Sequence, residues 1–243
     1  MLNDCYENVV LKKVPFPEEE PCTPVLLSDA TIQERLDKVI CKMKERQLDC
    51  IAVYADVEHG ANFEYLTGFI PRFEEALLIL HKNKDAYLLL GNEVLSLARH
   101  ARIAAKGLHM SYFSLPDQPL NEEQDLLYVL KKAGIQEGMQ LGIVGWKGFY
   151  RLKKELFDIP FYMIEAMRAC KAVLRNATDL FISPAYGVRT TNNANEIAHY
   201  EYGQILAAKG LQRAILALKP GKTEVELGGL LEAEGQVHNV VTI

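Results

Sequence analysis

No stretch of this chain approaches the roughly 18 consecutive apolar residues of a membrane-spanning helix, and its first residues, Met1-Leu2-Asn3-Asp4-Cys5, have no basic-then-apolar leader pattern. A basic excess is missing too. The net charge of −5 and the lack of a Lys/Arg stripe argue against a nucleic-acid surface. Cysteines are few, and Cys5, Cys22, Cys41, Cys50 and Cys170 include no Cys-x-x-Cys pair. An odd, scattered set argues against a disulfide framework or structural zinc, and predicts reduced thiols and a cytoplasmic address. What remains is an ordinary globular composition, 49% hydrophobic and 24% charged over 243 residues, with room for one large domain or two.

Several catalytic signatures are also missing. The glycines form no Gly-x-Gly-x-x-Gly after a strand, and no serine stands in a nucleophile elbow. Gly221-Lys222-Thr223 invites a phosphate-loop reading, but Leu216 occupies the place of the required glycine and a helix pattern precedes it. Glu196-Ile197-Ala198-His199 lacks the first histidine of a zincin helix, which leaves His199 as a surface or interface residue. His59, His81, His100, His109 and His238 show no ligand spacing among themselves or with carboxylates. No residue is assigned a catalytic or metal-ligating role.

Periodicity organises what is there. Residues 1–30 form a lead-in, in which Pro15, Pro17, Pro21 and Pro24 flank Glu18-Glu19-Glu20. Thr31-Ile32-Gln33-Glu34 has the form of a capping box, followed by Ile32, Leu36, Val39, Ile40 and Met43 on one helical face. The pattern then predicts a strand over Cys50–Tyr54, a short strand ending at Gly68, and a hairpin of Ala76–Leu80 and Ala86–Leu90. Beyond it come a helix over Glu93–Ala105, a strand over Met110–Phe113, a helix capped by Asn121 and a strand over Leu141–Val144. A helix near Phe149–Phe157, a strand over Pro160–Ile164 and a helix near Met167–Leu174 follow. Asn176-Ala177-Thr178 fits a glycosylation sequon and is read instead as a helix cap. The alternation predicts an α/β fold, a mixed sheet flanked by helices, over residues 31–185.

Pro184, Gly187 and the Thr190–Asn193 run mark a boundary. After it a long helix carries Ile197, Ile205, Ala208, Leu211, Ile215 and Leu218, and stops at Lys219-Pro220-Gly221. Thr223-Glu224-Val225-Glu226 is a second capping box, and Val237–Ile243 reads as a strand. The loop after Gly68 stands out for its chemistry. Phe69, Arg72 and Phe73 join a planar cationic fork to aromatic surface, a pairing suited to a carboxylate ligand. The competing structural reading pairs Arg72 with Glu74 or Glu75 and uses Phe69 and Phe73 to anchor the loop on the core.

Two ordered blocks carry a resemblance. One is Asn62 with Tyr65-Leu66-Thr67-Gly68-Phe69, followed by Glu75-Ala76-Leu77-Leu78-Ile79-Leu80. The other is Asn195-Glu196-Ile197-Ala198, then Ala207–Leu211, then Leu218–Leu227. Together they resemble the amino-terminal domain, and the entry into the pita-bread catalytic domain, of the creatinase, prolidase and Xaa-Pro aminopeptidase family. The resemblance implies an RNase H-like amino-terminal α/β domain, and an α+β pita-bread domain whose first helices lie in residues 186–243. It also implies a homodimer acting on a peptide or small molecule. A pair of divalent metals (Mn, Co or Zn), held by two Asp, one His and two Glu, would activate a bridging water. By the same analogy Phe69 and Arg72 contact substrate.

One departure limits the analogy. Asp179 is the last aspartate of the sequence, so no residue beyond it can supply a metal-bridging Asp. The expectation is an amino-terminal portion of a longer hydrolase, or a shortened relative, that lacks the metal site. The alternatives are a creatinase-like or other non-peptidase relative, and a stand-alone oligomeric binding module.

Overall fold

The computed structural model describes residues 23–232, so the expected strand over Val237–Ile243 and most of the lead-in lie outside the described residues. The chain divides into two compact units, Leu27–Asn193 and Met1–Leu26 with Ala194–Ile243.

The first unit is a mixed α/β layer. Helix α1 (Asp29–Glu45) buries Ile32, Leu36, Val39, Ile40 and Met43, the face its periodicity predicts. Its cap differs from the expected one. Ser28 accepts the Thr31 backbone N–H at 3.1 Å, while Thr31 is turned inward and buried. Serine comes first along the chain and closes the turn, which frees Thr31 for the interior.

A six-stranded sheet follows in the order β4-β3-β2-β1-β5-β6. Its strands are β1 (Cys50–Ala55), β2 (Ala76–His81), β3 (Ala86–Leu90), β4 (Lys106–His109), β5 (Gln140–Val144) and β6 (Val173–Asn176). The expected hairpin is present, with Ala76 facing Leu90 and Leu80 facing Ala86. β1 lies antiparallel to β2 and parallel to β5, so the sheet is mixed. Central β1 is buried on both faces. Ile51, Val53 and Ala55 enter a core with α1, and Cys50, Ala52 and Tyr54 enter a second core with α3 (Leu126–Lys132) and α4 (Phe161–Ala169). The two-residue alternation of a strand splits these neighbours between the two layers.

Several expected elements change type. The segment before Gly68 is a helix, α2 (Ala61–Thr67), rather than a strand. Asn62, Phe63, Leu66 and Thr67 share its inner side at helical spacing, and Gly68 closes it at φ +79°, a left-handed cap. Pro160–Ile164 opens helix α4, and the strand comes after it, where a helix was expected. Met163, Ile164 and Met167 lie on one buried face, a short apolar run that sequence alone cannot separate from a strand. Lys171 at φ 58° turns the chain out of α4 towards β6.

The remaining differences are smaller. Only a short 3-10 helix over Leu95–His100 forms within Glu93–Ala105, and another over Gly148–Arg151 at the start of the helix expected near Phe149–Phe157. The strand expected over Met110–Phe113 sits earlier, as β4. Asn121 caps a 3-10 turn, and Asp125 caps α3 by accepting the Tyr128 N–H at 2.7 Å. Asn176 is the buried end of β6, and its side-chain oxygen accepts the Thr178 N–H at 3.0 Å; Thr178 opens the short helix α5 (Asp179–Ile182).

In the second unit, helix α6 (Ala194–Ala217) ends before Lys219-Pro220-Gly221 as expected. Helix α7 (Glu224–Gly228) begins with the predicted capping box of Thr223 and Glu226. Gly210 lets the Leu231 backbone approach closely, and Arg213 donates to the carbonyls of Leu230 and Leu231 at 3.0 and 2.7 Å. His199 meets the Val25 carbonyl through Nδ1 at 2.6 Å. No helix among the described residues is long and apolar enough to cross a membrane.

Candidate functional site

Strand direction gathers the polar groups of the first unit at one edge of its sheet. Ala55 at the end of β1 faces Ala76 at the start of β2, and β5 runs parallel to β1. Asp56, Glu75 and Trp146 therefore all leave the sheet on the same side, the side where open α/β sheets place ligands.

Asp56 is the hub. Its carboxylate accepts the backbone N–H groups of Glu58 (2.9 Å) and His59 (2.7 Å), and lies 2.9 and 3.0 Å from His59 Nδ1. Burial opposes its ionisation, but the His59 and Glu58 hydrogen bonds together prevail and hold the carboxyl below its ordinary range. The His59 ring stacks on Trp146 at 3.8 Å between centroids and 23° between planes. Trp146 is fixed through its backbone: Asp158 accepts the N–H groups of Trp146 and Lys147, both at 2.6 Å. Spacing alone offered His59 no carboxylate; the tight turn after β1 supplies one three residues upstream.

Beside this turn, Glu75 accepts hydroxyl protons from Tyr54 (2.9 Å) and Tyr162 (2.5 Å). Burial, reinforced by the Glu75 charge and hydrogen bond, pushes both phenols above their ordinary range, so both stay protonated donors. Asn62 ties α2 to the same edge by donating to the Gly145 carbonyl at 2.7 Å, and it accepts from Arg189 at 2.7 Å.

The loop after Gly68 adjoins the His59 turn. A Cβ on Gly60 would stand 1.8 Å from Ile70 Cγ2, so only glycine lets Ile70 seat there. Phe69 is half-buried against the core, edge-on to Phe63 at 5.4 Å. Arg72 is exposed, its guanidinium 5.3 Å from the Phe73 ring, and Phe73 is 67% exposed. The competing structural reading is thus half right. Phe69 anchors the loop, whereas Phe73 does not. Among the described residues Arg72 forms no ion pair with Glu74 or Glu75. Glu74 is buried and accepts the N–H groups of Glu93 and Val94 at 3.0 and 3.1 Å.

Among the described residues no group of three or more His, Cys, Asp or Glu side chains could hold a metal ion. The edge cluster does not fit a divalent pair, because Asp56 and Glu75 already spend their oxygens on His59, backbone and tyrosine donors.

The family model of the creatinase/prolidase N-terminal domain matches residues 35–170, more than half of the chain and the whole of this edge. The chain belongs to the creatinase/prolidase N-terminal domain family. Solved structures agree in fold. A prolidase from Thermococcus sibiricus matches with TM-score 0.58 at 18% identity, over 83% of this chain and 48% of its own. The prolidase from Pyrococcus horikoshii OT3 matches with TM-score 0.56 at 18% identity, over 82% and 47%. A Xaa-Pro dipeptidase from Bacillus anthracis does so with TM-score 0.56 at 16%, over 83% and 48%. This chain spans about half the length of these relatives. A comparison with curated proteins finds no match.

Apart from the Asp56–His59 turn, the carboxylates and aromatics of the edge are not legible together in the sequence because they are far apart in it. Their common signal was position: Asp56 follows the end of β1, and Trp146 comes two residues after the end of β5.

Proposed function

We propose that this chain contributes the substrate-gating and self-association portion of a prolidase-like, metal-dependent hydrolase of Xaa-Pro peptides. Residues 31–185 form the amino-terminal domain, and residues 186–243 belong to the entry of the pita-bread domain. The metal pair is held by residues outside this sequence, the protein self-associates as a homodimer, and it works in the cytoplasm. Family membership over residues 35–170 supports the class, and the absence of aspartate after Asp179 supports placing the metals elsewhere.

The observation that carries the gating role is the loop beyond Gly68, where an exposed guanidinium, without an ion pair among the described residues, rides on a loop footed by Phe69. Arg72 binds the substrate carboxylate as a bidentate fork, and the half-exposed Phe69 ring lines its approach. The test is hydrolysis of Ala-Pro with Mn²⁺ by the chain itself and by the product of the longest reading frame containing these residues. The longer product cleaves, and the chain alone does not. Arg72→Ala in the longer product raises KM by roughly tenfold to a hundredfold with kcat little changed, the loss of a charge-assisted hydrogen bond. Cleavage by the chain alone, or an unmoved KM, overturns the reading.

A further inference from the structure

Trp146 is the only tryptophan of the sequence, and His59 covers its ring. His59 is followed by Gly60, and Gly60 is the seat of Ile70. A change at the imidazole is therefore one residue away from the foot of the loop that bears Arg72.

Charged and titratable groups face His59 from its own turn and from the β5 side. Asp56 is in direct contact on its own turn, and Glu58 adds a second carboxylate there. Tyr54 reaches the same Asp56 carboxylate at 3.2 Å and is neutral. From the β5 side come the indole face, which attracts a cation, and the carboxylate of Asp158 beneath the Trp146 backbone. Lys147 opposes them, with its ammonium 5.8 Å from the Trp146 ring. The contact with Asp56, at 2.9 Å, is the shortest of these charge interactions, which weaken with separation.

We propose that His59 is a charge-sensitive latch for the Arg72 loop. As an imidazolium it is clasped between Asp56 and the indole, which holds Gly60 and with it Ile70. As a neutral ring it keeps the Nδ1–H bond to Asp56 but loses the ion pair and the cation–π attraction, and the Ile70–Phe73 segment slackens. The coupling stands on this geometry alone; only its consequence for substrate rests on the role proposed for Arg72.

Trp146 emission reads the latch directly, since a protonated imidazole stacked on indole quenches it. In the intact chain, emission rises between about pH 5 and about pH 8, the range in which histidine changes charge. His59→Gln abolishes the rise. Hydrogen exchange of the peptide spanning Ile70–Phe73, compared with wild type at the same pH, is roughly threefold to tenfold faster in His59→Gln near pH 5 and equal near pH 8. His59→Phe, which keeps the ring stack without the charge, shows the fast exchange near pH 5 as well. Flat emission in the wild type, a rise that survives in His59→Gln, or loop exchange indifferent to His59 overturns the latch. Failure of the gating role instead appears as an unmoved KM in Arg72→Ala with this titration intact.

Discussion

At the scale of single residues, the edge of the sheet rests on side chains that satisfy buried backbone donors. Glu74 is 4% exposed and holds two N–H groups at the turn after β3, close against Gly91, where a Cβ would stand 2.6 Å from its carboxylate. Glu74→Ala strands both donors and is expected to cost about 1–3 kcal/mol, read as a lower urea midpoint. Glu74→Gln keeps one acceptor and costs less. The thiols divide in the same way by environment. Burial, with the Asp49 charge adding to it, pushes Cys50 up to about 12, and burial chiefly raises Cys170, while Cys41 is exposed on α1. Under native conditions iodoacetamide is expected to alkylate Cys41 and spare Cys50 and Cys170 until the chain is unfolded, as peptide masses would show.

At the scale of elements, the junction between the His59 turn and the Gly68 loop is a steric fit rather than a set of hydrogen bonds. Gly60→Ala drives a methyl into Ile70 and is expected to destabilise by about 1–3 kcal/mol. Ile70→Ala opens the space, so the double variant should recover part of that loss; additive costs in chemical denaturation would refute the fit. The elements also show where sequence reasoning held. α1, the β2–β3 hairpin, β5 and the α7 capping box follow from strong local signals of amphipathic periodicity, paired apolar runs or cap chemistry. α2 and α4 did not, because their short aromatic or apolar runs suit either period, and packing against the sheet decided between them.

At the scale of the whole molecule, the first unit is held together at the far end of its sheet by Asp49. This residue receives Lys82 at 2.7 Å from the β2–β3 hairpin and the Gln140 N–H at 2.9 Å from β5. Lys82 and then Gln140 hold its carboxyl below the ordinary range. A depressed folded value contributes stability that is complete above the unfolded value near 3.9 and fades as pH falls through the folded one. Asp49→Asn is therefore expected to be less stable than wild type at neutral pH by up to about 1 kcal/mol, with the gap closing in acid. A gap that persists in acid would assign the effect to packing instead.

The sequence by itself determined that the chain alternates strands and helices, which face of α1 is buried, and, through two ordered motifs, the family. Those properties are written in local spacing and composition, which survive without knowledge of partners. Only the tertiary structure decided that Asp56, His59, Glu75, Trp146 and Tyr162 share one edge, and that Arg72 is exposed without an ion pair among the described residues while Glu74 is consumed by backbone. Both outcomes depend on strand direction and register, which bring together residues that the chain itself holds far apart.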